Sequence, residues 1–76
     1  MKLIFFEKLI KYNEYSSHEF NPVSIKANRI TGTEYYDNDE GEDMTRVFVI
    51  DEKDENEDWL VKGKHEHIIN QVNSAL

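Results

Sequence analysis

The apolar pattern of residues 45–76 constrains the fold of this chain more than any other feature. Residues 47–50 (VFVI) and 59–61 (WLV) are typical of β-strands, and the acidic residues 51–58 between them are typical of a turn. After Gly63 the apolar residues recur at the spacing of one helix face, namely Ile68, Ile69, Val72, Ala75 and Leu76. The sequence therefore predicts a β-hairpin whose sheet is covered by one C-terminal helix.

The predicted helix, which starts near Lys64, depends on the sheet for its stability. A helix of about twelve residues is only marginally stable alone in water. Burial of each large aliphatic side chain of its apolar stripe contributes roughly 1.5–3 kcal/mol. We therefore expect this stripe to dock on the sheet.

The first 22 residues predict a second hairpin. Residues 3–6 (LIFF) are consecutive bulky residues, which favours a strand buried on both faces over a short helix, the alternative that the spacing of Leu3, Phe6 and Ile10 allows. Residues 18–20 are suited to a short return strand. Proline has no backbone N–H and holds the preceding residue extended. We therefore expect a strand to end or to change its partner at Asn21-Pro22.

The alternation of apolar and polar side chains in residues 23–30 predicts a further strand. Its parity changes before Ile30, and a bulge near Asn28 would restore the register. Residues 35–36 (YY) continue this strand, and residues 46–50 predict a central strand with both faces covered. The predicted fold is α+β, with a small antiparallel sheet of about four to five strands and one C-terminal helix packed on it.

The composition sets the size and the setting of the molecule. With 76 residues there is room for one domain, and a chain of this length has a small core. Association adds buried area to a small core, so we expect a homodimer. The chain contains no cysteine, and residues 3–6 are too short for a signal peptide or a membrane span. We expect a cytoplasmic protein that does not contact membranes.

The formal net charge of −7 indicates which partners the chain favours. Phosphate backbones repel an acidic protein, so direct binding to nucleic acid is disfavoured. A basic protein partner is favoured by charge. An alternative is that the acidic loops imitate phosphates, so that the chain inhibits a host protein that binds DNA or RNA.

Two acidic segments, residues 37–43 and 51–58, hold 11 of the 16 acidic residues and raise the question of a metal site. Asp54 matches the first ligand position of a calcium-binding EF-hand loop, but Trp59 stands where that loop needs glycine and His65 stands where it needs glutamate. Solvated turn acids are the favoured interpretation, and a weak divalent-metal site is a third alternative.

Other chemistry finds little support in the sequence. His65 and His67 lie two residues apart, so on a helix they point about 200° apart and cannot share one metal ion. No serine lies in a nucleophilic context, and no glycine-rich phosphate loop is present. We predict a non-enzymatic domain with no catalytic residue, cofactor or metal.

Aromatic and acidic residues predict a protein contact instead. Aromatic side chains that alternate with charged ones on a sheet are expected to face solvent in part, and exposed aromatic patches mark protein interfaces. The predicted contact residues are Tyr35, Tyr36, Phe48, Asp39, Glu40, Asp54 and Glu55. Phe48, or Tyr35 and Tyr36, would occupy the sheet face that the helix leaves uncovered, and the four acids lie in the two acidic segments.

Residues 20–25 (FNPVSI) and 61–72 (VKGKHEHIINQV) carry a resemblance to a known group. The first is an Asn-Pro step into an alternating strand, and the second is a hairpin strand that leads into a helix with an Ile-Ile pair. In this layout the chain resembles the FlbD-like family of very small bacterial and prophage proteins. The resemblance implies a β-hairpin sheet with a C-terminal helix, an origin in a phage or mobile element, and no catalytic residues.

Overall fold

The computed structural model describes residues 2–13, 15, 18–36 and 43–76. In chain order its elements are β1 Leu3–Lys11, β2 Glu19–Lys26, a 3-10 turn Ala27–Arg29, β3 Ile30–Tyr35, β4 Met44–Ile50, β5 Asn56–Lys62 and α1 His65–Ala75. The strands form one antiparallel sheet in the order β2-β1-β5-β4-β3. The predicted α+β fold, with an antiparallel sheet and one C-terminal helix, is confirmed.

The connection between β2 and β3 forces the sheet to curl. These strands are consecutive in the chain but lie at opposite edges of the sheet. In a flat sheet the two edges would be about 19 Å apart, because neighbouring strands are spaced by about 4.8 Å. The turn Ala27–Arg29 advances only about 2 Å per residue and spans less than half of that distance. The sheet therefore bends at this end until its edges approach each other.

The core lies between the concave side of this curled sheet and α1. Alternate residues of the strands point inward, and α1 adds two residues of its predicted stripe. The buried apolar side chains of this cluster are Ile4, Phe6, Ala27, Val47, Val49, Val61, Ile68 and Val72. The helix begins at His65, one residue after the predicted start. Leu76 follows the helix and is 72% exposed, so its predicted place in the buried stripe is wrong.

Two strands that were predicted to be buried on both faces are buried on one. In β1, Ile4 and Phe6 are buried, whereas Leu3 and Phe5 are exposed, and in β4 Phe48 is 36% exposed between buried valines. The physical reason is that α1 covers only the concave side. The intervening side chains of each strand point away from the core, as the two-residue period of a strand requires.

Two further expectations were also wrong. β2 runs without interruption through Asn21-Pro22, which pair with Lys8 and Glu7 of β1. An edge strand tolerates proline where the missing N–H would face away from the sheet. In place of a bulge near Asn28, a 3-10 turn carries the chain from one edge of the sheet to the other.

Gly63 joins β5 to α1, in agreement with the prediction that it ends the strand. Its φ of 131° is a conformation that residues with a Cβ rarely adopt. The Gly63 N–H donates to the carbonyl of Asp43 at 2.8 Å, and the Thr45 hydroxyl donates to the Gly63 carbonyl at 3.0 Å. These bonds hold the helix start against β4, which fixes the direction in which α1 crosses the sheet.

Candidate protein contact surface

The outer face of the sheet, defined as the side chains that point away from α1, is partly apolar. Residues directly opposite each other on paired strands share a face. Leu9 pairs with Phe20, and neither is fully buried. The exposed and half-buried apolar side chains of the outer face include Leu3, Phe5, Leu9, Phe20, Phe48, Ile50 and Leu60. The structure thus leaves an apolar surface on the side that has no helix.

Arg46 organises the charges on the β3–β4–β5 part of the outer face. Its guanidinium forms ion pairs with Asp58 on β5 and with Glu34 on β3, the latter at 3.6 Å. The same group lies 5.8 Å from the ring centroid of Tyr36. Exposed ion pairs contribute little to stability, but these partners hold the arginine in place beside the aromatic ring.

The predicted aromatic contact residues lie on two faces of the sheet. Tyr36 follows β3, and its ring lies near the Arg46 guanidinium. Phe48 lies two residues from Arg46 on the same side of β4. Tyr35 has the opposite parity, is 66% exposed, and meets the edge of the His65 ring with centroids 6.4 Å apart. The structure therefore places Tyr36 and Phe48 on the outer face and Tyr35 beside the start of α1.

A cleft of about 350 Å³ separates the end of β3 from the start of α1. Its walls are Tyr35, Tyr36, Asp43, Met44, Lys64, His65 and Glu66. Next to it, Nε2 of His65 lies 3.2 Å from Oγ1 of Thr33. A hydroxyl beside an imidazole is one part of a nucleophilic site, which also needs a group that orients the imidazole. Among the described residues no carboxylate lies within ion-pair distance of His65.

Asp54 and Glu55, predicted as contact acids, lie in the turn between β4 and β5. The Asp51 carboxylate accepts hydrogen bonds from the N–H groups of Lys53 and Glu55, at 2.8 and 2.9 Å. Asp54 has a φ of 60°, which aspartate tolerates better than most residues, and its carboxylate pairs with Arg29 at 3.3 Å. Asp51 and Asp54 therefore shape the turn, and Glu55 is exposed.

The two acidic segments attach to opposite ends of one strand. Asp43 precedes β4 and Asp51 follows it, and the ends of this seven-residue strand are about 20 Å apart. Imitation of a nucleic acid requires both segments on one face at the spacing of phosphates, and these attachment points do not bring them together. The predicted contact residues Asp39 and Glu40 lie outside the described residues.

Within the described part of the chain, no group of three or more His, Asp or Glu side chains is placed to hold a metal ion. His65 is half-buried and His67 is exposed, in agreement with side chains that point in different directions from α1. Asp54 is paired with Arg29, as described above.

Sequence reasoning missed a buried histidine and an exposed phenylalanine. His18 is buried in the connection between β1 and β2, where its Nδ1 accepts the Asn13 N–H at 3.0 Å and its ring stacks on Tyr12. A single histidine in a polar segment gives no signal of this kind. Phe5 was predicted to be buried, because a run of four apolar residues hides the two-residue period that exposes it.

Comparison with protein-family models, curated proteins and solved structures finds no match to this chain. The resemblance to FlbD-like proteins stays a prediction from sequence. Within residues 2–13, 15, 18–36 and 43–76, no helix has the length and hydrophobicity of a membrane span.

Proposed function

We propose that this chain is a non-enzymatic interaction domain that acts by binding another protein. The observation that carries the proposal is the one-sided cover of the sheet. α1 buries the concave side, while Phe5 and Phe48 on the outer face are 69% and 36% exposed, and Tyr35 is exposed beside the start of α1. A small domain with a limited core gains by burying such side chains, and aromatic residues are enriched in protein interfaces.

The net charge supports a basic partner. Acidic residues around a contact attract a basic protein over long range and raise the rate of association. Asp39, Glu40 and Glu55 would contribute to this attraction, with Asp54 in part neutralised by Arg29. Salt should therefore weaken binding mainly through the association rate.

The oligomeric state, the cellular location and the origin of the chain belong to the same proposal. A homodimer remains a prediction, and sedimentation velocity at high protein concentration tests it, since a strict monomer would contradict it. A cytoplasmic location and an origin in a phage or mobile element also remain predictions. The nucleic-acid mimic and the weak metal site gain no support from the geometry of the described residues.

Site-specific photo-crosslinking tests the proposed contact surface. A photoreactive phenylalanine analogue replaces Phe48 or Tyr35 in separate variants, and Tyr15, which is 94% exposed in the connection between β1 and β2, provides the control position. We expect a discrete protein adduct in native extract from the first two variants and a weaker one from the control. Equal adducts at all three positions, or none, would contradict the proposal.

A further inference from the structure

The two edges of the sheet differ in whether they can pair with another strand. β2, one edge, contains Pro22, yet its ladder with β1 is continuous on both sides of this residue. The proline nitrogen must therefore face away from β1, where it leaves the outer side of β2 without one donor. Proline in an edge strand is a known obstacle to the addition of a further strand.

β3, the other edge, has no such obstacle. It pairs with β4 and contains no proline, and Glu34 is its one charged residue. The Ile30 N–H donates to the carbonyl of Ala27, but beyond Ile30 the backbone of β3 forms no hydrogen bond with a described residue outside β4. After Ile30, every second residue of β3 thus presents an N–H and a C=O that lack a protein partner among the described residues, and such an edge is a template for strand pairing.

Depressions flank β3 on both sides of the sheet. Between β3 and α1 there is a groove of about 230 Å³ whose apolar walls include Ile30, Ile69 and the exposed Leu76. On the outer face, Thr31 and Phe48 line a shallow depression of about 250 Å³. Side chains of an added strand point alternately to the two faces, so successive residues would reach these two depressions in turn.

We infer that β3 receives an extended segment of the partner protein as a sixth strand. This inference rests on the proposed function and specifies its mode. The favoured segment alternates apolar residues with Lys or Arg, because, among the described residues, Arg46 alone pairs with two carboxylates beside β3, Glu34 and Asp58, and the chain has a net charge of −7. A second copy of this chain fits less well, since each copy carries a net charge of −7.

The inference is tested with a display library of random decapeptides selected on the immobilised full chain. Recovered peptides are synthesised, and each is compared with a counterpart that is N-methylated at its four central residues. N-methylation removes backbone donors and keeps side chains and charge. Alternate N–H groups of an added strand face β3, so about two strand hydrogen bonds are lost and affinity should fall roughly fivefold or more. Amide shifts in the NMR spectrum should be largest for residues 30–35.

The outcomes separate the binding mode from the proposed function. Peptides rich in Lys or Arg that perturb β3 and lose affinity on N-methylation would support both. Peptides that bind equally well when N-methylated, or that perturb only Phe5 and its neighbours on the outer face, would overturn strand addition and leave the interaction domain in place. If no peptide is recovered and no crosslink forms at Phe48, both fail. Protection of β3 in the protein alone, rising with its concentration, would identify a second copy as the occupant and overturn the choice of a basic partner.

Discussion

Two adjacent phenylalanines offer the sharpest test of the one-sided core. Phe6 is 4% exposed and lies among the core residues, whereas Phe5 is 69% exposed on the outer face. Truncation of a buried phenylalanine to alanine typically costs about 3–5 kcal/mol, through lost burial and the cavity left behind. A surface substitution usually changes stability by less than about 0.5 kcal/mol. We therefore expect Phe6→Ala to lower the free energy of unfolding by several kcal/mol more than Phe5→Ala does.

The size of this effect matters because the whole domain is small. At roughly 0.05–0.15 kcal/mol per residue, a chain of 76 residues has a free energy of unfolding of about 4–11 kcal/mol. Phe6→Ala would remove about a quarter or more of it and lower the melting temperature by at least about 12 °C. Urea unfolding, followed by the fluorescence of Trp59 and by circular dichroism, gives both values.

The two variants differ by one position in the same strand, so each controls for the other. Both remove the same ring from β1 and change its β-propensity equally. Similar losses of stability in the two variants, or a larger loss for Phe5→Ala, would refute the assignment of the outer face. An unchanged free energy of unfolding in both variants would refute the assignment of Phe6 to the core.

Other predictions follow from single contacts. Ile68→Ala should destabilise the fold by about 2–5 kcal/mol because this side chain is buried, whereas Leu76→Ala should have almost no effect in the same urea titration. Gly63→Ala should lower the free energy of unfolding by about 1–3 kcal/mol, because φ is 131° and a Cβ would lie 3.1 Å from the Ile68 side chain. Gly32→Ala, whose Cβ would meet nothing closer than 3.8 Å, should lower it less. Equal losses in the two variants would refute this reasoning. Asp51→Ala should cost about 1 kcal/mol by calorimetry, since two turn N–H groups lose their acceptor, and an unchanged melting temperature would count against that role.

Local patterns predicted the hairpin and the helix well. β4 spans Met44–Ile50 and β5 spans Asn56–Lys62, close to the two apolar runs that indicated them. Burial of Ile68 and Val72 follows from their helical spacing. These elements are short-range in sequence, and their hydrophobic period is not interrupted by proline or glycine.

The edges of the sheet could not be predicted in the same way. Whether Pro22 ends a strand depends on which side of it the sheet lies, and only the pairing with β1 decides that. The strand order follows from the pairing of β1 with β5, and these two strands are far apart in sequence. Alternation alone does not distinguish a bulge near Asn28 from a turn that carries the chain to the other edge.

The sequence indicated the aromatic residues of the candidate contact surface but not the sheet face on which each one lies. Tyr36 and Phe48 share the outer face with Arg46, whose guanidinium lies 5.8 Å from the Tyr36 ring. Tyr35, the neighbour of Tyr36, belongs to the opposite face because side chains alternate along a strand. Four successive apolar residues around Phe48 hide this period in the sequence, which also does not show which face the helix covers.

The central claim is that a partner protein binds by adding a strand to β3. Hydrogen–deuterium exchange, on the chain alone and in complex with a crosslinked or captured partner, tests it most directly. The account predicts new amide protection confined to β3 and to its surroundings on β4, with β2 and the connection between β1 and β2 unchanged. Protection centred on β2 or on the exposed side of α1, with β3 exchanging as in the free chain, would contradict it.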